Sequence, residues 1–131
     1  MITSKAAQAV ITAGLKKATE LGVRANIAIL DEGAHLKAFV RMDGAVLGSI
    51  DLAQGKARTS ALFGVTSEAV WDYCKPGAPA PGLERSNSGL MPFPGGIPLT
   101  SSDGTLIGAV GVSGGTPAQD ADIARAAAEA V

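Results

Sequence analysis

A chain of 131 residues has the commonest length of a single domain, and its 47% hydrophobic residues are enough to form a buried core. The formal net charge is -1 and Lys and Arg form no cluster, which argues against a nucleic-acid partner. No segment reaches the about 20 apolar residues of a membrane span, so we expect one cytoplasmic domain over residues 1–131, although a signal peptide already removed would leave no trace.

The first elements predicted are a helix and a β-hairpin. Apolar residues recur every three or four positions over residues 4–21, which predicts a helix with Ser4 as its N-cap. The two short runs that follow, ANIAILD and HLKAFVRM, are separated by the turn DEGA. This pattern predicts a β-hairpin in which Gly33 takes the positive φ angle of the turn.

Two helices and a long loop are predicted next. Helical spacing returns over residues 48–63, and Thr66 or Ser67 can cap a shorter helix that ends before Pro76. Residues 75–96 are so rich in proline and glycine that they cannot form a regular element. Loops of this length in compact domains are usually functional, which makes this one a candidate lid or subunit contact.

The last part of the chain predicts a second hairpin and a final helix. IPLTSS and LIGAVGVSG flank a turn with Asp103 and Gly104 at its tip, and the pair Thr116 and Pro117 is typical of a helix start. The full order is α-β-β-α-α-β-β-α. Strands that arrive as hairpins form an antiparallel sheet, so the sequence predicts an α+β fold with a central antiparallel β-sheet flanked by helices.

The glycines of GAVGVSGGTPAQD raise the question of a phosphate site. Their spacing matches neither the dinucleotide pattern GxGxxG nor a P-loop, which argues against both kinds of nucleotide site. They are better explained as strand glycines that let a neighbouring element approach closely. Free amides around Gly114, Gly115 and Thr116, at the start of the last helix, remain candidates for binding a carboxylate.

Three motifs taken together resemble the GlcG/HbpS family of small haem-binding or haem-degrading proteins, which also forms the C-terminal domain of PduO. They are NIAILDEGAHLKAFVRMDGA, DLAQGKARTSALFGVTSE and GLMPFPGGIPLTSSDGTLIGAVGVSGGTPAQD, and the resemblance covers about residues 25–123. It implies a profilin-like fold and assembly into homo-oligomers, from dimers up to octamers. For some members it also implies haem binding, while others belong to catabolic gene clusters.

The resemblance places a haem-iron contact at Thr66. A neutral hydroxyl is a weak iron ligand, so a haem held there would exchange easily. The alternative is that Thr66 only caps its helix. PduO-like members use a histidine for haem, but the only histidine here, His35, stands at a variable position and Ala34 replaces a frequent glycine. One histidine and the lone Cys74 form no other metal site and no disulfide.

Charged residues give the remaining candidates. Lys56 in the second helix belongs to one of the strongest motifs of the resemblance, and Arg41 ends the second strand. Both cations are candidates for binding a carboxylate or a haem propionate. The backbone amides of Gly114 and Gly115 are candidates for the same role. The alternative for either cation is an ion pair within the chain, with Asp43, Asp51 or Glu84 as partner. Glu84 is in addition a candidate general acid or base.

Three functions stay open at this point. The first is a small oligomeric protein that binds haem or a related tetrapyrrole, with peroxide-linked degradation. The second is a protein or enzyme that binds a small organic acid in a catabolic pathway. The third is a structural or accessory oligomer without chemistry, since no complete catalytic set is present. A serine hydrolase is excluded because Ser86 and Ser88 have no partner base.

Overall fold

The computed structural model describes all 131 residues as four helices and one four-stranded sheet. Every strand pairing is antiparallel, in the order β2-β1-β4-β3, and the predicted α+β class and element order are confirmed. The elements are α1 (Ser4–Leu21), β1 (Asn26–Asp31), β2 (Leu36–Arg41), α2 (Gly48–Phe63), α3 (Ser67–Cys74), β3 (Gly96–Thr100), β4 (Leu106–Ser113) and α4 (Pro117–Ala128).

The two faces of the sheet are covered differently. Helices α1 and α4 pack on one face, where large side chains of the central strands form the main core. Side chains along a strand alternate between faces, so the intervening residues of the same strands face α2, and apart from Leu30 most of them are small. The main core therefore lies between the sheet and the helices α1 and α4. A thinner apolar layer lies between the sheet and α2, formed by Leu30, Ala57, Ala61 and Ala109.

Glycines let the backbone of α2 approach the sheet directly. A Cβ atom at Gly111 in β4 would overlap the carbonyl oxygen of Ala53, and one at Gly96 in β3 would overlap that of Lys56. The side of α2 that meets them carries alanines, including the fully buried Ala53 and Ala57. The prediction that strand glycines permit a close approach is confirmed.

Two local predictions were wrong by one residue. The N-cap of α1 is Thr3, whose Oγ1 accepts a hydrogen bond from the Ala6 amide at 3.1 Å, and Ser4 is the first helical residue. In the β1–β2 turn the positive φ of 66° belongs to Ala34 and not to Gly33. The Ala34 amide donates to the Asp31 carbonyl oxygen at 3.0 Å. The left-handed residue of the turn thus comes one position later than predicted.

The long loop is held at its base by side chains of α2 and α3. The Thr59 hydroxyl accepts from the Met91 amide at 2.9 Å, and the Ser67 hydroxyl accepts from the Gly96 amide at 2.8 Å. Arg58 donates to the carbonyl oxygens of Asn87 and Gly89. Within the loop, residues Leu83–Arg85 form a 3-10 turn. None of the helices combines the length and apolar character that crossing a membrane requires.

Replacing Gly111 by alanine should loosen α2 from the sheet, because the new Cβ has no space beside the Ala53 carbonyl. We expect Gly111→Ala to lower the free energy of unfolding by about 3 kcal/mol in a urea titration. Gly48→Ala is the matched control, since nothing lies within 4 Å of that Cβ position, and it should leave stability unchanged or slightly raised. Equal stability of the two variants would contradict the close backbone packing.

Candidate functional site

A buried ion pair joins α2 to α4 at the end of β4. Lys56 Nζ lies 3.0 Å from Asp120 Oδ2 and donates to the Val112 carbonyl oxygen at 2.9 Å. The other carboxylate oxygen, Asp120 Oδ1, accepts from the Gly115 amide at 2.8 Å. Both side chains are about 95% buried. Lys56 thus forms an ion pair within the chain, as the alternative supposed, but with Asp120 instead of the three predicted partners.

Beside this pair lies a cavity of about 340 Å³, which we call the lysine cavity. Three predicted site residues, Lys56, Gly114 and Gly115, line it. The buried residues Ser49 and Ser113 contribute to the same wall. The structure therefore brings together residues from α2, the end of β4 and the start of α4 around one space.

The amides of Gly115 and Thr116 are already bonded within the chain, so these two are not the free anion-binding groups that the sequence suggested. Gly115 N–H donates to Asp120, Thr116 N–H donates to Gln119 Oε1 at 3.0 Å, and Gln119 N–H donates to Thr116 Oγ1 at 3.2 Å. The last two bonds form a capping box, with Thr116 as N-cap. Acceptors from the chain itself thus take the place that a carboxylate was predicted to fill.

Thr66 lies at a second, smaller cavity of about 180 Å³, which we call the threonine cavity. Its Oγ1 accepts from the Ala69 amide at 3.2 Å, so the N-cap role is confirmed. Pro94 and Ile97 add apolar surface to the cavity, and Arg125 of α4 adds a guanidinium group. Thr66 remains exposed, so its hydroxyl is accessible to a molecule that enters the cavity.

Arg41 and Glu84 lie apart from both cavities. Arg41 is exposed at the end of β2 and forms no ion pair. Glu84 is in the 3-10 turn, near the buried Cys74 at the end of α3. Burial, with the nearby Glu84 carboxylate, raises the pKa of Cys74, so the thiolate is disfavoured and the cysteine is a poor nucleophile.

His35 belongs to the first hairpin turn. Its ring is 81% exposed, and Nδ1 lies 3.3 Å from Asp31 Oδ1. That same oxygen accepts from the backbone amides of His35 and Gly33, and these bonds hold the pKa of Asp31 below its usual value. The histidine thus closes a turn and lines neither cavity.

Several residues at these cavities were not predicted from the sequence. Asp120, Ser49, Ser113 and Arg125 were not among the predicted site residues. The position of Ser113 could have been predicted from the alternation of β4. Ser113 follows Ala109 and Gly111 at spacings of two, so it lies on the same face of the sheet, toward α2. No local pattern connects Lys56 with Asp120, which lies 64 residues further along the chain.

Comparison with known proteins identifies related chains. Residues 2–129 match the model of the family described as haem degrading protein HbpS-like. A 15.0 kDa protein of Citrobacter freundii, encoded between dhaT and dhaS, is 36% identical over 96% of this chain and 89% of its own length. A crystal structure of a PduOC:heme complex superposes with a TM-score of 0.92 and 32% identity, covering 99% of this chain and 94% of that one.

A further relative is much longer than this chain. The corrinoid adenosyltransferase PduO of Salmonella typhimurium is 37% identical over 91% of this chain, but the match spans only 35% of PduO. The similarity therefore concerns one part of that enzyme, and the activity in its name is not transferred by it.

Removing the charge of Lys56 should be strongly destabilising, because it leaves the Asp120 carboxylate buried without a cation. We expect Lys56→Met to lower the free energy of unfolding by about 3 to 5 kcal/mol in urea. Lys16→Met is the matched control, since Lys16 is exposed on α1 and forms no ion pair, and it should change stability by less than about 0.5 kcal/mol.

The double variant Lys56→Met with Asp120→Leu separates the charge from the packing. Replacing both members of a buried pair by apolar groups is often close to neutral, so the double variant should regain part of the lost stability. Full recovery is not expected, because the Gly115 amide also loses its acceptor. A double variant less stable than Lys56→Met would contradict the charge pairing as the cause.

Proposed function

The chain belongs to the HbpS-like family of haem-degrading proteins, and from that premise we propose that it binds haem at the threonine cavity. The observation that carries this proposal is the close similarity to the PduOC:heme complex, at 32% identity over nearly the whole chain. A fold alone does not determine function, so the proposal also needs a site of suitable chemistry. Thr66 and Arg125 are the residues on which that site depends.

The hydroxyl of Thr66 suits a weak contact with iron. Its oxygen accepts one backbone hydrogen bond and keeps a second lone pair and its proton for another partner. The stronger ligand types are placed elsewhere, since His35 belongs to the first hairpin turn and the Cys74 thiol is buried with a raised pKa. A haem held through Thr66 should therefore exchange readily.

The surroundings of Thr66 suit the edge of a flat, partly charged molecule. A cavity of about 180 Å³ is smaller than the usual range for enclosed ligands, so a haem would lie across it and stay partly exposed. Pro94 and Ile97 would contact its apolar surface. Arg125 is 60% exposed and pairs only with the exposed Asp122, so its guanidinium can reorient toward a propionate.

When bound, haem supplies an iron centre that can change oxidation state, which is the chemistry that peroxide-linked degradation requires. The residues of the chain would position the group through Thr66 and Arg125. The alternative, binding of a small organic acid by Lys56 and Arg41 as paired cations, has less support. Lys56 is neutralised by Asp120, and Arg41 does not share a cavity with it.

We further propose that the chain forms a homo-oligomer through α3 and the end of α2. Five large apolar side chains are exposed there, and a cavity of about 240 Å³ lined only by apolar residues lies among them. Contiguous exposed apolar surface of this kind is typical of a protein contact. The exposed residues are Leu62, Phe63, Val65, Trp71 and Tyr73.

Haem titration followed by absorption tests the first proposal. We expect a saturable Soret shift with the wild-type protein and with Thr66→Ser, which keeps both the hydroxyl and the cap. Thr66→Ala should bind haem at least about tenfold more weakly, a change equivalent to about 1.4 kcal/mol. An absent Soret shift in the wild type, or an unchanged one in Thr66→Ala, would contradict the proposal.

Thr3→Ala is the matched control for this titration. Like Thr66, Thr3 is exposed and caps a helix through its hydroxyl. Removing either hydroxyl should therefore lower the free energy of unfolding by about 1 kcal/mol. Because Thr3 is distant from the cavity in sequence and lines none of its surface, haem affinity should stay at the wild-type value. Weakened binding in Thr3→Ala would show that capping, and not the Thr66 hydroxyl, explains the effect.

Light scattering tests the oligomer. The measured mass should be at least twice the 13.0 kDa of one chain, and Val65→Asp with Trp71→Asp should lower it to one chain. Leu36→Asp is the matched control, because Leu36 is also an exposed apolar residue but lies on β2, and it should leave the mass unchanged. A wild-type protein that is already monomeric would overturn the proposal.

A further inference from the structure

We propose that the lysine cavity binds a small uncharged hydroxylated ring, such as a monosaccharide or a cyclic polyol. The inference does not rest on haem binding, since the lysine and threonine cavities share no lining residue. It rests on unpartnered polar groups in the wall, on the absence of net charge beside them and on the apolar surface opposite.

The wall of the lysine cavity contains two hydroxyl groups that form no hydrogen bond with the chain. Ser49 is 6% exposed and Ser113 is 4% exposed, and both residues line the cavity. Neither hydroxyl is among the fully buried polar atoms that lack a partner, so the small exposed part of each can be reached from the cavity. A hydroxyl can donate one hydrogen bond and accept two, and this capacity is left for a molecule that occupies the cavity.

A third polar group without a full set of partners lies beside Ser113. Asn26 is opposite Ser113 in the β1–β4 ladder, so the two side chains share the face of the sheet that meets α2. Asn26 is completely buried, its Nδ2 donates to the Val46 carbonyl at 3.4 Å, and its Oδ1 has no partner. The polar character of this wall thus continues below its surface, where a bridging water would complete the bonds.

The charges beside the hydroxyls cancel. Lys56 uses two of its three N–H groups on Val112 and Asp120, which leaves one N–H group as a donor. Because the Asp120 carboxylate balances the Lys56 ammonium, the pair adds no net charge to the cavity. A carboxylate entering this site would meet Asp120 as well as Lys56 and would lose its hydration for little gain. An uncharged ligand with several hydroxyl groups can satisfy Ser49, Ser113 and the free N–H of Lys56 together.

The rest of the lysine cavity is apolar and suits the carbon face of a ring. Leu52, Phe93 and Pro117 contribute side chains there, and Phe93 is 46% exposed, so its ring is accessible. A saturated ring with hydroxyls on its rim can pack its C–H groups on an aromatic face while the hydroxyls reach polar groups. The volume of about 340 Å³ is at the low end of ligand cavities, which favours one ring over a chain of them.

Amide chemical shifts of the full-length protein test the proposal. D-glucose, D-galactose and myo-inositol are titrated separately to about 50 mM, well above a dissociation constant in the millimolar range. We expect saturable shifts from at least one of them, centred on the amides of Ser49, Ser113, Gly114 and Gly115. Sodium lactate, which has a hydroxyl group but carries a negative charge, should cause none there.

Ser49→Ala with Ser113→Ala removes the two hydroxyls. Because neither has a protein partner, this variant should unfold at the wild-type temperature and yet lose the saturable shifts, at least tenfold in affinity. Ser4→Ala with Ser102→Ala removes two exposed serines as the control and should bind normally.

Three results would overturn the inference. They are no saturable shift from any of the three neutral probes, a saturable shift from lactate instead, and unchanged binding in Ser49→Ala with Ser113→Ala. The haem titration provides an independent readout, because the double serine variant should keep the wild-type Soret shift. The two proposals can therefore fail separately.

Discussion

The contact between Lys56 and Asp120 is the constraint around which this end of the molecule is arranged. It joins α2 to α4 across the end of β4, and through Gly115 it also fixes the turn between β4 and α4. A buried charge is tolerated only when its partners are in place, so the pair specifies the positions of three elements at once. The lysine cavity exists because these elements meet there and leave a space beside the pair.

The same stretch of α2 explains why the motif around Lys56 is so recognisable. Lys56 bonds to β4 and α4, Ala57 packs against Gly111, and Thr59 receives the Met91 amide of the long loop. Consecutive residues of one helix thus connect the sheet, the last helix and the loop. The contacts of Lys56, Ala57 and Thr59 therefore give this motif a structural role. The two ligand proposals depend on other residues, which are Thr66 in one case and Ser49 with Ser113 in the other.

Much of the fold was predictable because it depends on local chemistry. The bounds of α2, the cap at Thr66 and the start of α4 after Thr116 follow from helical spacing and from capping residues within four positions. The turn at Ala34 was missed because the Asp31 hydrogen bonds, and not the glycine, decide its geometry. The cavities could not be predicted from the sequence, because residues distant along the chain form them. Lys56 pairs with Asp120, and Thr66 lines one cavity with Arg125, only because the sheet brings their elements together.

The direct approach of α2 to the sheet also limits how the molecule can move. Helices usually slide by repacking the side chains between them and their support. Here the carbonyls of Ala53 and Lys56 lie against glycine backbone, so no layer of side chains is available to repack. Sliding of α2 is therefore blocked, and the helix forms a fixed wall of the lysine cavity, to which it contributes Ser49, Leu52 and Lys56. A molecule that enters this cavity has to fit a surface that cannot shift to receive it.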